Sequence, residues 1–326
     1  KRAEDCGSVR ELMELYKQTL DYFMGLQVET EHINDEIHIQ QDINAFRSSL
    51  VYDCIERAMD LVEGGSVYSA DGGPTAGTIS AGDSLAALDE IVFNQKLLTM
   101  EQVLHAMSTN YEDMETVPAG PEIRAILLNK APKFGNDDER ADKWVVELED
   151  YIGSSYRYKY RSSKYGKGPV PCCYSYSQSP VTGNIAFGKS IGATPDGRKA
   201  GQPVNNGISP ANGSEKKGAT AACNSVMKLP SIWFQKGAIF NMRLSKGALD
   251  TDENKEKVIA MIKVLFENYG QQIQFNVVDN KLFKKAMEHP DEYKDLMVRV
   301  SGYSALFTSL SPECQMDVIN RAELEL

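Results

Sequence analysis

The sequence predicts an α/β fold, with helices layered around a mainly parallel sheet. Two observations support this prediction. In the second half of the chain, segments with helical spacing of apolar residues alternate with short apolar segments typical of strands. In the first half, several longer stretches repeat their apolar residues at the spacing of an amphipathic helix. The 326 residues are enough for one large domain or for two of ordinary size.

The composition is that of an ordinary globular protein and argues against several functional classes. Hydrophobic residues make up 42% of the chain, charged residues 25%, and the net charge is -11. This acidic balance disfavours nonspecific binding to nucleic acid or to an anionic membrane. No apolar run approaches the ~20 residues of a membrane span. Six cysteines without metal-type spacing predict reduced thiols in a cytoplasm, with no bound metal.

Helical patterns dominate the first half of the chain. Ser8 and Thr99 are residue types that favour the N-cap of a helix, and Asp83 or Ser84 is predicted to cap another. Gly64-Gly65 predicts the end of the second helix. The predicted helices cover residues 8–31, 45–62, 85–92, 99–107, a segment that begins at 121, and 139–160.

Several reactive or charged residues are more consistent with structural roles than with a site. His32 and His38 do not have a reliable metal-ligand spacing, and Cys54 fits a small hydrophobe on a helix. The basic and aromatic segment 159–167 is short and is best interpreted as a solvated helix end. Cys172-Cys173 begins an apolar-polar alternation typical of a strand.

The composition changes in the middle of the chain. Glycine, proline, asparagine and serine dominate residues 183–218, which predicts irregular structure there and a domain boundary near residue 205. Beyond the boundary, we predict strands over 238–244 and 273–278. The predicted helices of this part cover residues 219–229, 252–269, 279–287 and 312–321.

The residue that draws most attention is Gly302. It stands between a β-prone segment, 296–300, and an aromatic-apolar one, 303–307. A lone glycine in such a place usually supplies a positive φ in a turn. The whole segment around it, however, resembles the C-terminal signature of glycyl radical enzymes, in which the glycine stores a backbone radical. The segment reads Arg299-Val300-Ser301-Gly302-Tyr303-Ser304-Ala305. Only glycine has a second Cα hydrogen and no Cβ to crowd the planar radical centre.

Further segments match the same family in the expected order. They are residues 194–201, which begin with Thr194-Pro195-Asp196-Gly197-Arg198, and residues 273–279. The resemblance runs from about residue 10 to the end and is closest to the glycerol/diol dehydratase-like branch of the pyruvate formate-lyase superfamily. It implies the second half of a ten-stranded β/α barrel over residues 1–205, followed by a C-terminal glycyl radical domain over 206–326.

The resemblance also implies a reaction. The radical on Gly302 would oxidise a cysteine to a thiyl, which abstracts hydrogen from a small organic substrate and drives C–O, C–N, C–S or C–C bond cleavage. The family's Gly-Cys-x-Glu-like segment has no match here, so we expect the thiyl cysteine upstream of Lys1 in a longer protein. Pyruvate formate-lyase uses adjacent cysteines, but its pair lies much farther from the glycine than Cys172-Cys173 does. The resemblance also makes Pro74, Thr75 and Thr78 candidates for lining the substrate cavity.

The family further implies partners. The radical would be installed by a radical S-adenosylmethionine activating enzyme with a [4Fe-4S] cluster, and no bound cofactor is expected. For that partner to reach Gly302, the segment 206–326 would open about a hinge within residues 183–218. A homodimer of the full-length protein in an anaerobic cytoplasm is expected, without nucleic-acid or membrane partners.

Other functions stay open at this point. A C–C bond-forming or decarboxylating member, such as a fumarate-adding synthase or an arylacetate decarboxylase, would suit the apolar Trp233-Phe234 pair and the acid-free loop 74–78. Formate acetyltransferase is a further alternative. A noncatalytic glycyl radical repair subunit is the alternative from another class, although such proteins lack the barrel-type sequence that residues 10–200 add.

Overall fold

A computed structural model describes residues 2–68, 72–73, 75–160, 174–277 and 279–324. Helices dominate these residues, and the strands are short. The α-helices, in chain order, are α1 Val9–Gln41, α2 Ala45–Ser49, α3 Thr78–Ala87, α4 Met100–Ser108, α5 Gly120–Asn129, α6 Glu139–Tyr158, α7 Gly183–Ser190, α8 Gly218–Met227, α9 Asp252–Glu267, α10 Asn280–Glu288 and α11 Pro312–Asn320. The strands are β1 Asn241–Arg243, β2 Gln274–Asn276, β3 Met297–Arg299 and β4 Ser304–Leu306. Among the described helices, none is both long enough and apolar enough to cross a membrane.

Most of the predicted helices are confirmed, with ends shifted by a few residues. The side chains of Ser8 and Thr99 accept hydrogen bonds from the first turns of α1 and α4, as N-cap residues do. Helix α1 continues to Gln41, beyond the predicted end at residue 31, because neither glycine nor proline interrupts it there. Helix α7 was not predicted, since its glycines and serine masked the helical pattern.

The predicted helix over 45–62 is wrong. Helix α2 ends at Ser49, and the chain then folds into turns in which Asp53 and Ala58 have φ values of 71° and 51°. The buried carboxylate of Asp60 explains this compact loop. It accepts hydrogen bonds from the backbone amide of Asn44 and the hydroxyl of Ser48, both at its Oδ2 atom, at 2.9 and 2.8 Å. These contacts satisfy a buried charge that a continuous helix would leave unpaired.

The predicted cap at Asp83 or Ser84 is also wrong. Helix α3 begins at Thr78, directly after Gly77, whose φ of 91° turns the chain into the helix. Asp83 lies inside α3, fully buried, and its Oδ1 atom accepts a 2.7 Å hydrogen bond from the amide of Phe134. The helix then continues as a π-helical turn over Leu88–Asn94. Asp83 therefore joins α3 to the segment before α6 instead of starting a helix.

Two small sheets replace the larger sheet that the sequence suggests for the described residues. Strands β1 and β2 are parallel, with Asn241 opposite Gln274 and Arg243 opposite Asn276. An isolated bridge between Leu244 and Leu324 extends β1. Strands β3 and β4 form an antiparallel hairpin. The predicted strands over 238–244 and 273–278 coincide with β1 and β2 but are longer than the observed ones, and residue 278 lies outside the described residues.

Buried apolar side chains of the described residues form three clusters. The first surrounds β1 and brings together Tyr176, Phe240 and Leu265. The second lies between α3, α4, α5 and α6. The third packs the β3–β4 hairpin onto α10 and α11, with the rings of Phe283 and Phe307 4.7 Å apart. The first cluster joins residues from both sides of position 205, and the domain boundary predicted there stays a prediction.

A stability test follows from the contact between α3 and α6. Gly82 faces Val145, and a Cβ at Gly82 would lie 2.4 Å from the Val145 Cγ2 atom and 3.0 Å from its Cα. We expect Gly82→Ala to lower the free energy of unfolding by about 1–3 kcal/mol, because the two helices must separate. Urea denaturation measures this change.

Gly25→Ala in α1 is the matched control. The nearest atom to a Cβ there is the Tyr160 hydroxyl at 3.8 Å, which is an ordinary contact. Alanine has the higher helix propensity, so this variant should gain about 0.5–1 kcal/mol. Equal effects of the two substitutions would show that close packing of α3 on α6 does not decide the stability.

Candidate functional site

Gly302 lies in the turn of the β3–β4 hairpin. The backbone amide of Val300 donates a 2.9 Å hydrogen bond to the carbonyl of Tyr303, which closes the turn. The φ of Gly302 is 76°, in the left-handed region that favours glycine. Ser301 is buried, with 1% of its surface exposed, whereas Gly302 is exposed. The turn therefore presents the glycine outward while the residue before it anchors the chain.

Two amide side chains of β2 hold one side of this turn. Gln274 Oε1 accepts a 3.1 Å hydrogen bond from the Gly302 amide and a 2.9 Å bond from Arg299 Nε. Asn276 bonds the backbone of Arg299 twice, donating to its carbonyl at 2.7 Å and accepting from its amide at 2.9 Å. Gln274 and Asn276 lie two residues apart in a strand, so their side chains share one face. The side chains of β2 thus make the hydrogen bonds to β3 and its turn that the backbone of a neighbouring strand would otherwise make.

A second group of buried polar residues holds the other side. The Ser301 hydroxyl donates a 2.9 Å hydrogen bond to Asn206 Oδ1. Arg321 Nη2 donates to the carbonyl of Val300 at 2.7 Å and to Asp317 Oδ2 at 3.2 Å. The second Asp317 oxygen accepts from the amide of Asn184 at 3.1 Å. These partners satisfy charges and amides that would otherwise be costly to bury.

Gly302 opens onto a cleft of about 560 Å³. A Cβ at Gly302 would lie 3.2 Å from Ile239 Cδ1, so the cleft wall approaches the glycine closely. The lining combines amide, hydroxyl and guanidinium groups with apolar ones. Besides Gly302 and Ile239, it comprises Ser179, Phe234, Gln235, Gly237, Ala238, Gln271, Gln272 and Arg299. A small molecule with hydrogen-bonding groups would find both donors and acceptors here.

The structure does not bring the other predicted site residues to this cleft. Pro74 lies outside the described residues. Thr75 and Thr78 line a different and more apolar cavity of about 650 Å³. Thr78 is buried, and its hydroxyl accepts a 2.8 Å hydrogen bond from the amide of Gln178. In this structure Thr78 is thus a member of a buried network, and its substrate-lining role stays a prediction.

That buried network centres on Glu149 in α6. Its two carboxyl oxygens accept hydrogen bonds from the Tyr176 hydroxyl at 2.6 Å and from the Gln178 amide at 2.9 Å. Complete burial disfavours the charged carboxylate and raises the pKa of Glu149 to about 7. Burial likewise raises the pKa of Tyr176. The network joins α6 to the segment that leads toward the cleft.

The described cysteines do not lie in the cleft around Gly302. Cys54 is buried as predicted, but it lies in the turns after α2 and not on a helix, and burial raises the pKa of its thiol. Burial raises the pKa of Cys223 to about 12. Cys172-Cys173 lies outside the described residues. Across the ranges that the structure covers, no three histidine, cysteine or acidic side chains gather as a metal site, and neither His32 nor His38 has such partners.

Sequence patterns alone did not single out the residues that hold the glycine turn. A signal for two of them is present, because Gln272, Gln274 and Asn276 alternate with apolar residues and so predict a polar face on the strand. Asn206 and Arg321 carry no comparable signal. Their distance from Gly302 in sequence hides a contact that only the folded chain creates.

A pH test follows from Glu149. Its folded-state pKa of about 7 lies above the usual value, so its stabilising contribution is present at pH 4 and is lost as the pH rises to about 7. As the pH rises from 5 to 8, the wild type should therefore lose stability that Glu149→Gln keeps. The unfolding free energy of the variant should rise by about 1–3 kcal/mol relative to that of the wild type over this range. Urea denaturation across this range measures the difference.

Glu147→Gln, two residues away, serves as the control for this test. Burial raises the pKa of Glu147 somewhat, but hydrogen bonds from Lys17 and Arg10 outweigh it and hold the pKa below its usual value. Its contribution to stability is therefore complete above pH 5, and the control should change little with pH in this range. A pH-independent difference for Glu149→Gln would contradict the neutral buried carboxyl.

Similarity to known proteins identifies the family. Residues 1–187 match the pyruvate formate lyase-like family model, and residues 204–308 match the glycine radical model. The chain is 36% identical over 96% of its length to a probable dehydratase, YbiW, of Escherichia coli K12, and 33% identical over 97% to trans-4-hydroxy-L-proline dehydratase of Clostridioides difficile. It spans 38% of the length of each of these relatives.

A solved structure is similar as well. The whole chain superimposes on 40% of the glycerol-bound B12-independent glycerol dehydratase from Clostridium butyricum, with a TM-score of 0.91 and 34% sequence identity. The fold is therefore that of the C-terminal portion of the β/α barrel enzymes of this kind, as the sequence predicts. The chain belongs to the glycyl radical enzyme family of pyruvate formate lyase-like proteins.

Proposed function

We propose that this chain is the radical-storing part of a glycyl radical lyase of the dehydratase-like group, with the radical on the Cα atom of Gly302. The observation that carries the proposal is the position of this glycine. It stands at a hairpin turn with a φ of 76°, beside a cleft, while Gln274 and Asn206 hold the turn from two sides. An ordinary turn glycine does not require such a set of buried polar partners.

The proposed chemistry begins at this Cα atom. Loss of one hydrogen atom leaves an unpaired electron between an amide nitrogen and a carbonyl, which share it. The Gly302 radical then takes a hydrogen atom from a cysteine thiol, so that the glycine is restored and a thiyl forms. The thiyl in turn takes a hydrogen atom from a substrate carbon, and the substrate radical loses its leaving group. The product radical then takes the hydrogen atom back from the cysteine thiol, which regenerates the thiyl. The cysteine is proposed to lie in the part of the relatives that this chain does not span.

The substrate that fits best is a small hydroxylated molecule. The relatives that match nearly the whole chain include dehydratases, such as the one named for hydroxyproline, whereas an isethionate sulfite-lyase matches 73% of it, which favours C–O cleavage over C–S cleavage. The cleft supports this choice, because Ser179, Gln272 and Arg299 offer hydrogen-bonding groups beside Gly302. Arylacetate decarboxylation, fumarate addition and formate acetyltransfer have no comparable support. A repair subunit is disfavoured by the barrel-type match over residues 1–187.

Activation would require the Gly302 turn to be released from its hydrogen bonds with Gln274 and Asn206 so that it can enter a partner's active site, and the packing suggests which unit moves. Opening of the whole segment 206–326 would divide the first apolar cluster, which joins residues such as Tyr176 and Phe240 across the predicted boundary. The third cluster lies entirely within 283–319. We propose that the hairpin with α10 and α11 opens as a unit, since this breaks mainly the polar contacts around Gly302. A radical S-adenosylmethionine activating enzyme, a homodimer and an anaerobic cytoplasm belong to the same proposal.

The experiment is electron paramagnetic resonance on the full-length protein that contains this chain. The protein is incubated anaerobically with its radical S-adenosylmethionine activating enzyme. We expect a doublet, split by the one hydrogen left on Cα, and its complete loss in Gly302→Ala, because alanine would crowd the planar centre. Exposure to oxygen should cut the wild-type backbone at Gly302, which mass spectrometry of the two fragments detects.

Gly201→Ala is the matched control. Gly201 has the same φ of 76°, and a Cβ added there would have no other atom within 4 Å, so this variant has similar backbone strain at a position without a radical. It should keep the doublet and the cleavage at Gly302. A doublet that survives in Gly302→Ala, or its absence from a folded wild type with a competent activating enzyme, would refute the assignment.

A further inference from the structure

We propose that Gln274 is a positioning residue for the radical glycine. Through its Oε1 atom it would fix the peptide plane before Gly302 and stabilise the radical once it has formed. The inference rests on the proposed function of Gly302. It begins from the 3.1 Å hydrogen bond that the Gly302 amide donates to this side chain. Gln274 is 7% exposed, so water competes little for this bond.

The orientation of the Gln274 amide follows from its partners. A backbone amide and an arginine Nε can only donate, so the atom that meets both Gly302 and Arg299 must be the carbonyl oxygen. The Gln274 nitrogen then faces Asn241 Oδ1, to which it donates. Arg321 donates to the same Asn241 oxygen at 3.4 Å. The surrounding donors and acceptors therefore hold the acceptor oxygen of Gln274 toward the glycine.

This contact reaches the atoms that store the radical. The amide nitrogen of Gly302 shares the unpaired electron with Cα, and a hydrogen bond accepted from its N–H leaves more electron density on that nitrogen. The same bond limits rotation of the Ser301–Gly302 peptide plane, which decides which Cα hydrogen faces the cleft. Gln274 acts on the electron distribution and on the geometry without touching the substrate.

Asn276 provides a contrast on the same face of β2. It bonds only the backbone of Arg299, so it holds the hairpin but does not contact Gly302. Loss of either side chain would loosen β3. Only loss of Gln274 would remove the acceptor from the glycine N–H. This difference separates a positioning role from a general structural one.

The test compares Gln274→Met with Asn276→Leu in the full-length protein, activated anaerobically. Electron nuclear double resonance in H2O and D2O measures the hyperfine coupling of the exchangeable amide proton of the radical. In Gln274→Met we expect this coupling to shift and the anaerobic lifetime of the radical to shorten about five- to tenfold, the factor for one buried hydrogen bond. Asn276→Leu should leave the coupling unchanged.

Gln274→Glu is the conservative rescue. Its carboxylate still accepts from Gly302 and Arg299. Asn241 would turn its amide toward the carboxylate, giving up the long 3.4 Å contact with Arg321 and accepting from Ser209 Oγ instead. The coupling and lifetime should stay near those of the wild type. If Gln274→Met does not fold, Asn241→Leu is used instead. It removes the acceptor that holds the side-chain nitrogen of Gln274, without changing Gln274 itself, and should shift the coupling in the same direction.

The outcomes separate this inference from the proposed function. No doublet in the folded, properly activated wild type would refute the radical on Gly302 itself. A wild-type doublet with the same amide coupling in Gln274→Met, or in Asn241→Leu if that variant is used, would overturn the role of Gln274 and leave the radical assignment intact. A lower radical yield with unchanged coupling would likewise overturn it, because that result marks a purely structural contribution.

Discussion

The arrangement around Gly302 depends on hydrogen bonds between the amide side chains of β2 and the backbone of the hairpin. Gln274 and Asn276 bond Gly302 and Arg299, although β2 and β3 share no backbone ladder. Side-chain amides can make and break such pairs without dismantling a sheet. A turn held in this way is fixed and still separable, which is consistent with the opening that we propose for activation at Gly302.

The same constraint explains why the site is polar while its supports are apolar. The hairpin packs Val298, Val300 and Phe307 against α10 and α11, which makes the unit cohesive. Outside that cluster, the polar side chains of Asn206 and Gln274 contact the turn directly. Cohesion within the unit and hydrogen bonding across its edge support the proposal that the hairpin opens together with α10 and α11.

Local sequence patterns predicted most elements but failed where a buried charge reorganised the chain. Helix α6 follows directly from its period and from the acids at its start. The stretch 45–62 has a helical period too, yet buried Asp60 gathers the chain into turns. Asp83 looks like a cap, yet it bonds Phe134 from within α3. Propensity is a weak prior, and a tertiary contact to a buried carboxylate overrides it.

The sequence by itself determined the family to which the chain belongs and the position of the glycine on which we propose the radical. Gly302 and its neighbours form a contiguous string, and contiguous strings can be recognised without coordinates. Only the tertiary structure decided which residues hold this glycine, because Asn206, Gln274 and Arg321 come from separate segments. It also placed Thr75 and Thr78 beside a different cavity. Hydrogen bonds between distant segments depend on the path of the folded chain, which local residue spacing does not encode.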